Sequence, residues 1–183
     1  MKTNKLPPLE YLKECFVLDS SLPNGIRWVS DRPLSHLNSE RMYKRWNKRY
    51  SNKPSGTLNS SGYYNLKVGK IRCFNHRIIF AIYNNTIDFQ DFNIDHIDGN
   101  KLNNNPENLR LATNSQNQFN RAKSKNNTSG HKNVYFHKRN KKYFCKIKIN
   151  NKDIHIGTFK TLELTIEARD KKAKEIAGIF YKS

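Results

Sequence analysis

Acidic residues and cysteines are both scarce in this sequence. The 183 residues include 15 Asp and Glu against 34 Lys and Arg, which gives a formal net charge of +19. The three cysteines, Cys15, Cys73 and Cys145, are far apart, and none forms a C-x-x-C pair. This spacing argues against a structural zinc site. Their odd number and apolar neighbours predict reduced core thiols, as in a cytosolic protein.

Long apolar runs are also missing. No run approaches the ~20 residues that a membrane span requires. The opening residues, MKTNKLPPLEYL, contain no apolar core of a signal peptide. We find neither a basic amphipathic helix nor a lipidation signal, so we expect no membrane partner. Basic residues spread along the whole chain instead predict a nucleic acid, because Lys and Arg release counterions from its phosphates. A merely solvated basic surface is the alternative.

The first 60 residues are predicted to form a short helix and a basic loop region. Pro7-Pro8 starts a helix over roughly Leu9–Cys15, and the turn at 23–25 leads into a short strand, I-R-W-V. Residues 31–61 are interrupted by proline and glycine, which favours a loop. This loop is either an ordered surface segment or a contact for phosphates, and the overall charge favours phosphates.

The richest motif follows a predicted hairpin and helix. The hairpin turns at Gly69-Lys70, the run RIIFAIYN reads as a helix, and residues 94–101 read IDHIDGNK. Asp95 is a hard oxygen ligand suited to Mg²⁺ or Mn²⁺. Neutral His96, with an ordinary pKa of ~6.5, can accept a proton at cellular pH. Neighbouring strand residues point to opposite faces, so both can serve one site only where the strand bends or ends.

The segment NPENLRLATNSQNQFN supplies further polar groups. Leu109–Ala112 is predicted to pair with the strand that carries His96. Thr113 and Gln116 form a capping box, so a helix should begin at Asn114 and place Asn117 in its second turn. The remaining polar residues are predicted to serve a turn and the loop backbone: Asp98, Gly99, Asn100 and Asn103 to Asn105.

The stretch from Asp95 to Asn120 resembles the HNH endonucleases, especially the phage and intron-encoded homing type, whose fold is a ββα-metal motif. The D-H pair, the following D-G-N-K, the N-L-R and the helical Asn carry this resemblance. It implies that Asp95 and Asn117 hold one divalent cation, Mg²⁺ or Mn²⁺, and that His96 is the general base. The resemblance also assigns further positions: Asn108 holds the His96 ring, and Arg77 (or its neighbour His76) and Arg110 contact DNA.

The C-terminal segment is predicted to form three strands and a helix. The strands run over roughly Asn133–His137, Tyr143–Ile149 and Ile154–Phe159. The helix covers roughly Leu162–Ile179, with Thr161 as its N-cap and Gly178 close to its end. Alternation along the second strand directs Cys145 and Ile147 to the helix and Lys146 and Lys148 away from it.

This segment resembles the Apetala-two/ethylene-response-factor DNA-binding domain. That family lays a three-stranded sheet in the major groove, which is wide enough for β-structure. The resemblance implies a DNA-contacting sheet face formed by Lys132, Tyr135, His137, Lys146, Lys148 and His155. Arg139, in a turn, would meet phosphates. The alternative is a solvated face of a half-buried sheet.

These observations predict an α+β chain: a ββα-metal nuclease core followed by a small three-stranded antiparallel sheet plus helix. The expected divisions are 1–60, the nuclease domain 61–121, a basic linker 122–130 and the DNA-binding domain 131–183. The predicted protein is a divalent-metal-dependent DNA endonuclease acting on double-stranded DNA, with no small-molecule substrate. It would be a monomer or dimer in the cytoplasm of a bacterial host, if phage-encoded. A catalytically inactive DNA-binding protein and an RNA-binding protein are the alternatives.

Overall fold

The computed structural model describes residues 5–89, 92–120, 127, 129–149 and 152–180. The chain folds into two compact units, Met1–Leu111 and Ala112–Ser183. Within the described residues there are five α-helices and four small sheets, so the fold is mixed α and β. Every helix in these ranges is too short or too polar to span a bilayer.

The first unit contains three of the small sheets. Its elements, in chain order, are α1 (Leu9–Cys15), β1 (Phe16–Leu18), β2 (Ile26–Trp28), a 3-10 turn (Leu34–His36), α2 (Glu40–Tyr50), β3 (Thr57–Leu58), β4 (Tyr64–Val68), β5 (Ile71–Phe74), α3 (Asn75–Tyr83), β6 (Asn93–His96), a second 3-10 turn (Pro106–Asn108) and β7 (Leu109–Ala112). Strands β1 and β2 pair, β4 lies between β3 and β5, and β6 pairs with β7. The β4–β5 hairpin turns at Gly69-Lys70, as predicted, with Val68 opposite Ile71.

Helix α3 forms the centre of the first core. Its Ile78 and Ile79 are fully buried, together with Leu12 of α1 and Ile26 of β2. Fully burying an aliphatic side chain contributes roughly 1.5–3 kcal/mol. Since α3 also contacts β6, this core supports the strand that carries the Asp-His pair.

A buried amide fixes the start of α3. Asn75 Nδ2 donates to the carbonyl oxygens of Asn24 (3.0 Å) and Ser55 (2.9 Å). Gly56 follows with φ +93°, a left-handed backbone that disfavours any side chain. A Cβ on Gly56 would lie 2.5 Å from Asn75 Oδ1. The glycine therefore lets the chain pass close to the amide that holds the helix.

Gly56→Ala should destabilise the protein. Left-handed strain costs about 1–3 kcal/mol, and the clash with Asn75 adds to it. Urea unfolding measures the change, with Gly69→Ala as the control, because Gly69 also has positive φ but an added Cβ there would meet no atom within 4 Å. Equal losses in the two variants would show that the contact with Asn75 adds nothing to the backbone strain.

The prediction of a loop over residues 31–61 is wrong for Glu40–Tyr50, which form helix α2. The helix begins after Ser39, whose hydroxyl accepts a hydrogen bond from the Met42 N–H. Its aromatic residues lie on the side facing the protein, and its cations are exposed. The chain therefore does contain a basic amphipathic helix, and the expectation that it has none is wrong. The mostly polar sequence of this segment did not indicate a helix.

The second unit contains the predicted sheet and helix. Its elements are α4 (Asn114–Asn120), β8 (Val134–His137), β9 (Lys142–Ile149), β10 (Lys152–Phe159), α5 (Leu162–Ala177) and a 3-10 turn (Gly178–Phe180). The sheet is antiparallel, with β9 in the middle. Cys145 and Ile147 are buried, and Ile147 packs with Ala173 and Ala177 of α5.

Local capping signals determine where both helices of this unit begin. Thr113 N–H donates to Gln116 Oε1 (2.8 Å), and Gln116 N–H donates to Thr113 Oγ1 (3.2 Å), which confirms the capping box before α4. Thr161 Oγ1 accepts from the Leu164 N–H and confirms the predicted cap of α5. The predicted linker, 122–130, falls mostly outside the described residues, and the division into four regions stays a prediction.

Candidate active site

The Asp-His pair lies at the end of strand β6. The strand stops at His96, whose carbonyl accepts a hydrogen bond from the Gly99 N–H (2.9 Å). Gly99 has φ +77°, which suits the turn that follows. Asp95 and His96 are both buried, at 6% and 4% exposure. The expectation that the strand ends at this pair is confirmed.

Asp95 forms an ion pair across the two strands of this sheet. Arg110 Nε lies 3.0 Å from Asp95 Oδ2, and the two side chains are 13% and 6% exposed. Arg110 was predicted to contact DNA, and in this structure its guanidinium neutralises the predicted metal ligand. A buried carboxylate requires such a partner, because an isolated buried charge is strongly disfavoured.

His96 receives a hydrogen-bond partner from the loop between the two strands. Its Nε2 lies 3.1 Å from Asn104 Oδ1, and Asn104 is 3% exposed. In this arrangement the amide oxygen accepts, so the ring nitrogen that it contacts is the protonated one. From the sequence, Asn104 is predicted to serve the loop backbone. The loop contains five asparagines, and nothing in the sequence indicates which of them is buried.

Asn108 braces the turn that follows the Asp-His pair. Its Oδ1 accepts from the Asp98 N–H (3.0 Å), and its Nδ2 donates to Asp98 Oδ1 (3.0 Å) and to the Asn103 carbonyl (2.8 Å). Its own carbonyl accepts from the Ile97 N–H (2.8 Å). Asn108 thereby holds the chain on both sides of the turn. Its predicted role in orienting the His96 ring stays a prediction.

Asp98 is a turn residue, as predicted. Its carboxylate accepts from the Asn100 N–H (2.8 Å) and from Asn103 Nδ2 (2.7 Å). Burial alone would raise the pKa of Asp98, but hydrogen bonds from Asn103 and Asn108 hold it below its ordinary value. The ionised carboxylate therefore stabilises the loop that carries Asn104.

A second histidine packs against the first. The His76 ring lies 5.1 Å from the His96 ring in an edge-to-face arrangement, and Tyr63 and Phe74 surround it. His76 was considered for a DNA contact, but it is 7% exposed and belongs to the interior. Burial, followed by the neighbouring His96 and Arg77, lowers the pKa of His76 to about 3. His76 is therefore a neutral packing partner of the His96 ring.

The protonation of His96 is set by opposing influences. Burial lowers its pKa, while the Asn104 hydrogen bond and the Asp98 and Asp95 carboxylates raise it, and Lys101 lowers it again. The net direction is downwards from the ordinary value. The imidazole is therefore neutral at pH 7, which is the form that can accept a proton.

Two further predicted site residues are Asn117 and Arg77. Asn117 is partly exposed on α4, in the second unit. Arg77 is half-buried on α3, with its guanidinium 4.9 Å from the centroid of the Phe89 ring. Burial lowers the pKa of Arg77. The metal role of Asn117 and the DNA contact of Arg77 stay predictions.

The predicted DNA face of the C-terminal sheet carries aromatic and basic side chains that are exposed or half-buried. Tyr135 stacks on Phe144 (5.1 Å), and Phe144 stacks on His155 (6.2 Å). Lys146 lies 5.7 Å from the Tyr135 ring and forms a 2.7 Å ion pair with Asp153. The remaining exposed residues predicted to contact DNA in this region are His137, Arg139 and Lys148.

Lys132 has a structural partner in the second unit. Its Nζ donates to the carbonyl oxygens of Gln118 and Phe119, both at 2.8 Å. These carbonyls belong to the last turn of α4, where a cation stabilises the helix dipole. The lysine predicted to contact DNA thus also caps this helix.

The comparison with known proteins agrees with the motif. Residues 73–119 match the family model of the HNH endonuclease, so the chain contains an HNH domain. An uncharacterized HNH endonuclease of Acanthamoeba polyphaga mimivirus is 44% identical over 70 residues, which is 38% of this chain and 36% of the relative. The chain thus matches about a third of the relative's length. No solved structure gives a significant match.

Proposed function

We propose that the protein is a divalent-metal-dependent HNH endonuclease that hydrolyses phosphodiester bonds of double-stranded DNA. The observation that carries the proposal is the buried Asp95-His96 pair at the end of β6, inside the matched region. The family match and the viral relative support an enzyme that acts on DNA. The proposal includes an origin in a phage or mobile element and, if the protein is phage-encoded, location in the cytoplasm of a bacterial host.

The proposal needs a hard cation that few protein groups hold. Among the described residues, no group of three or more His, Cys, Asp and Glu side chains could hold a metal ion. Asp95 offers carboxylate oxygens, and Asn117 is the second predicted ligand. Mg²⁺ or Mn²⁺ accepts such a set, because it retains waters and takes phosphate oxygens as further ligands. A bound cation would neutralise charge on the scissile phosphate and the leaving 3′ oxygen.

His96 would act as the general base. Its Nδ1 takes a proton from the attacking water as the new P–O bond forms and the bond to the 3′ oxygen breaks. Asn104 holds Nε2–H and thereby fixes the ring and its tautomer. His76 packs against the ring from the interior. These contacts support a ring that is held in one orientation.

The C-terminal sheet would hold the nuclease on its substrate. Its exposed aromatic and basic face suits duplex DNA, as the Apetala-two resemblance implies. Tethering both units in one chain would raise the local concentration of the nuclease on DNA. Cutting of one strand or both depends on whether one or two copies act.

Cleavage of supercoiled plasmid tests the proposal. The purified chain, incubated with Mg²⁺ or Mn²⁺, should convert plasmid to nicked or linear forms, and chelator should stop the reaction. Tight binding of DNA without cleavage in either metal would overturn the proposal in favour of an inactive DNA-binding protein.

The pH dependence of cleavage should report the His96 environment. The pKa of His96 is lowered, so its imidazole is neutral at pH 7 and the parent cleavage rate should be at its plateau there. The rate should fall only when the pH drops below the ordinary pKa of histidine. Asn104→Ala removes an influence that raises this pKa, so its profile should shift to lower pH. The plateau should drop about 10- to 100-fold, because the ring is no longer fixed.

Single-turnover rates across pH measure both effects. Asn105→Ala is the control, since Asn105 lies in the same loop but caps the Pro106–Asn108 turn. An Asn104 variant with the parent profile and plateau would show that this amide does not position the base.

A further inference from the structure

Helix α2 carries an uninterrupted basic face. Five of its eleven residues are cations: Arg41, Lys44, Arg45, Lys48 and Arg49. At 3.6 residues per turn, the spacings i, i+3, i+4, i+7 and i+8 bring all five to one side of the helix. Each of these side chains is exposed. The face therefore forms two adjacent rows of positive charge along the helix.

This face has almost no negative charge to neutralise it. The single acidic residue of the helix, Glu40, pairs with Lys44 at 2.8 Å. Within the ranges that the structure describes, Arg41, Arg45 and Lys48 form no ion pair. Like charges four residues apart repel each other and destabilise a helix. The arrangement is thus unfavourable for folding alone and favourable beside a polyanion.

The opposite face fixes the helix to the first unit. Trp46 meets Trp28 edge to face at 5.1 Å, and Trp28 stacks on Phe16 of the core at 4.6 Å. The buried Arg32 guanidinium lies 5.0 Å from the Trp46 ring. Asn47 and Tyr43 both donate to Asp31. The aromatic face is occupied by the protein itself, so it cannot enter a bilayer.

We propose that the basic face of α2, Arg41, Lys44, Arg45, Lys48 and Arg49, is a docking surface for the phosphate backbone of duplex DNA. This inference rests on the proposed function, because it assigns a second DNA contact to the same enzyme. A rigid helix with a single-sided row of cations matches a regular row of phosphates. The contact is independent of base sequence and adds affinity without touching the Asp95-His96 site.

Salt dependence of DNA binding tests the surface. Each phosphate contact contributes about −0.9 to the slope of log K against log salt. In the full chain, Arg45→Gln with Lys48→Gln should reduce the magnitude of this slope by about 1–2 and weaken binding at low salt. The control is Lys171→Gln with Lys174→Gln, two exposed cations of α5 with the same spacing. The control should keep the parent slope.

The measurement uses a short duplex DNA with chelator present, so that cleavage does not interfere. The rate of cleavage at saturating DNA should be unchanged in the α2 variant, since the catalytic residues are intact. In one outcome the parent binds DNA, with the salt slope reduced in the variant as expected, and yet never cleaves it. That result would confirm the DNA-docking surface on α2 and overturn the proposed nuclease activity. A variant whose salt dependence of DNA binding equals that of the parent would overturn the docking surface. A loss of binding seen only with duplex RNA or only with anionic vesicles would also overturn it.

Discussion

Replacing His96 by alanine should reduce the single-turnover rate of DNA cleavage by about 10²–10⁴-fold. The variant loses the group that takes the proton from the attacking water, and no described neighbour can replace it. His76, the adjacent imidazole, has a pKa lowered to about 3 and is buried, so it is a poor base. Affinity for DNA should be unchanged, because His96 is 4% exposed and carries no charge at neutral pH.

The rate loss requires a matched control for packing. His76→Phe keeps an aromatic ring beside His96 and removes only the second imidazole, so it should retain most of the activity. Rates are measured with enzyme in excess over a duplex, and the bound fraction is measured in the same mixtures. A His96 variant that cuts like the parent would remove His96 from the mechanism.

Replacing Arg110 by methionine should lower the free energy of unfolding by about 3–5 kcal/mol when no divalent metal is present. This is the cost of removing the positive charge that pairs with a buried carboxylate, and Asp95 is 6% exposed beside Arg110. Methionine keeps much of the side-chain volume, so the loss reports charge more than packing. The control is Arg27→Met, which breaks the more exposed pair with Asp19 and should cost much less.

Divalent metal should recover part of the stability of the Arg110 variant. A cation bound to Asp95 replaces the neutralising charge of the guanidinium, and binding to the native state alone stabilises it. Urea unfolding with Mn²⁺ or with chelator measures the recovery. The same recovery in a variant that also carries Asp95→Ala would show that the metal acts elsewhere. An unchanged stability in Arg110→Met would show that the ion pair contributes little.

Most helices and strands could be predicted from the sequence, because the interactions that start and end them join residues close together in the chain. The turn at Gly69-Lys70, the box formed by Thr113 and Gln116, and the cap at Thr161 depend on residues within a few positions of each other. The end of β6 at His96 followed from the alternation of strand side chains and the chemistry of Asp95-His96.

Helix α2 was not predicted, because polar and aromatic residues, and not aliphatic ones, carry its helical periodicity. Its protein-facing side consists of Tyr43, Trp46, Asn47 and Tyr50, and none of its residues is fully buried. An aliphatic stripe was therefore absent, and the flanking prolines favoured a loop. The cap at Ser39 and the aromatic spacing of three and four residues were the available signals.

Two contacts of the candidate site depend on tertiary structure and could not be predicted. The sequence contains several equivalent asparagines between the two strands, and only the folded loop selects Asn104 for the His96 ring. The pairing of Arg110 with Asp95 depends on how β6 and β7 align. The motif resemblance pointed to Asp95 and His96, and the structure shows which side chains contact them.

Chemical rescue of the His96→Ala variant by imidazole is the most direct test of the central claim. Added imidazole should occupy the space left by the side chain and restore metal-dependent cleavage in proportion to its concentration, with a pH dependence that follows the free base. The Asp95→Ala variant should not respond, because its missing group is a carboxylate. Parental cleavage by His96→Ala without imidazole, or equal recovery of both variants, would contradict the assignment of His96 as the general base.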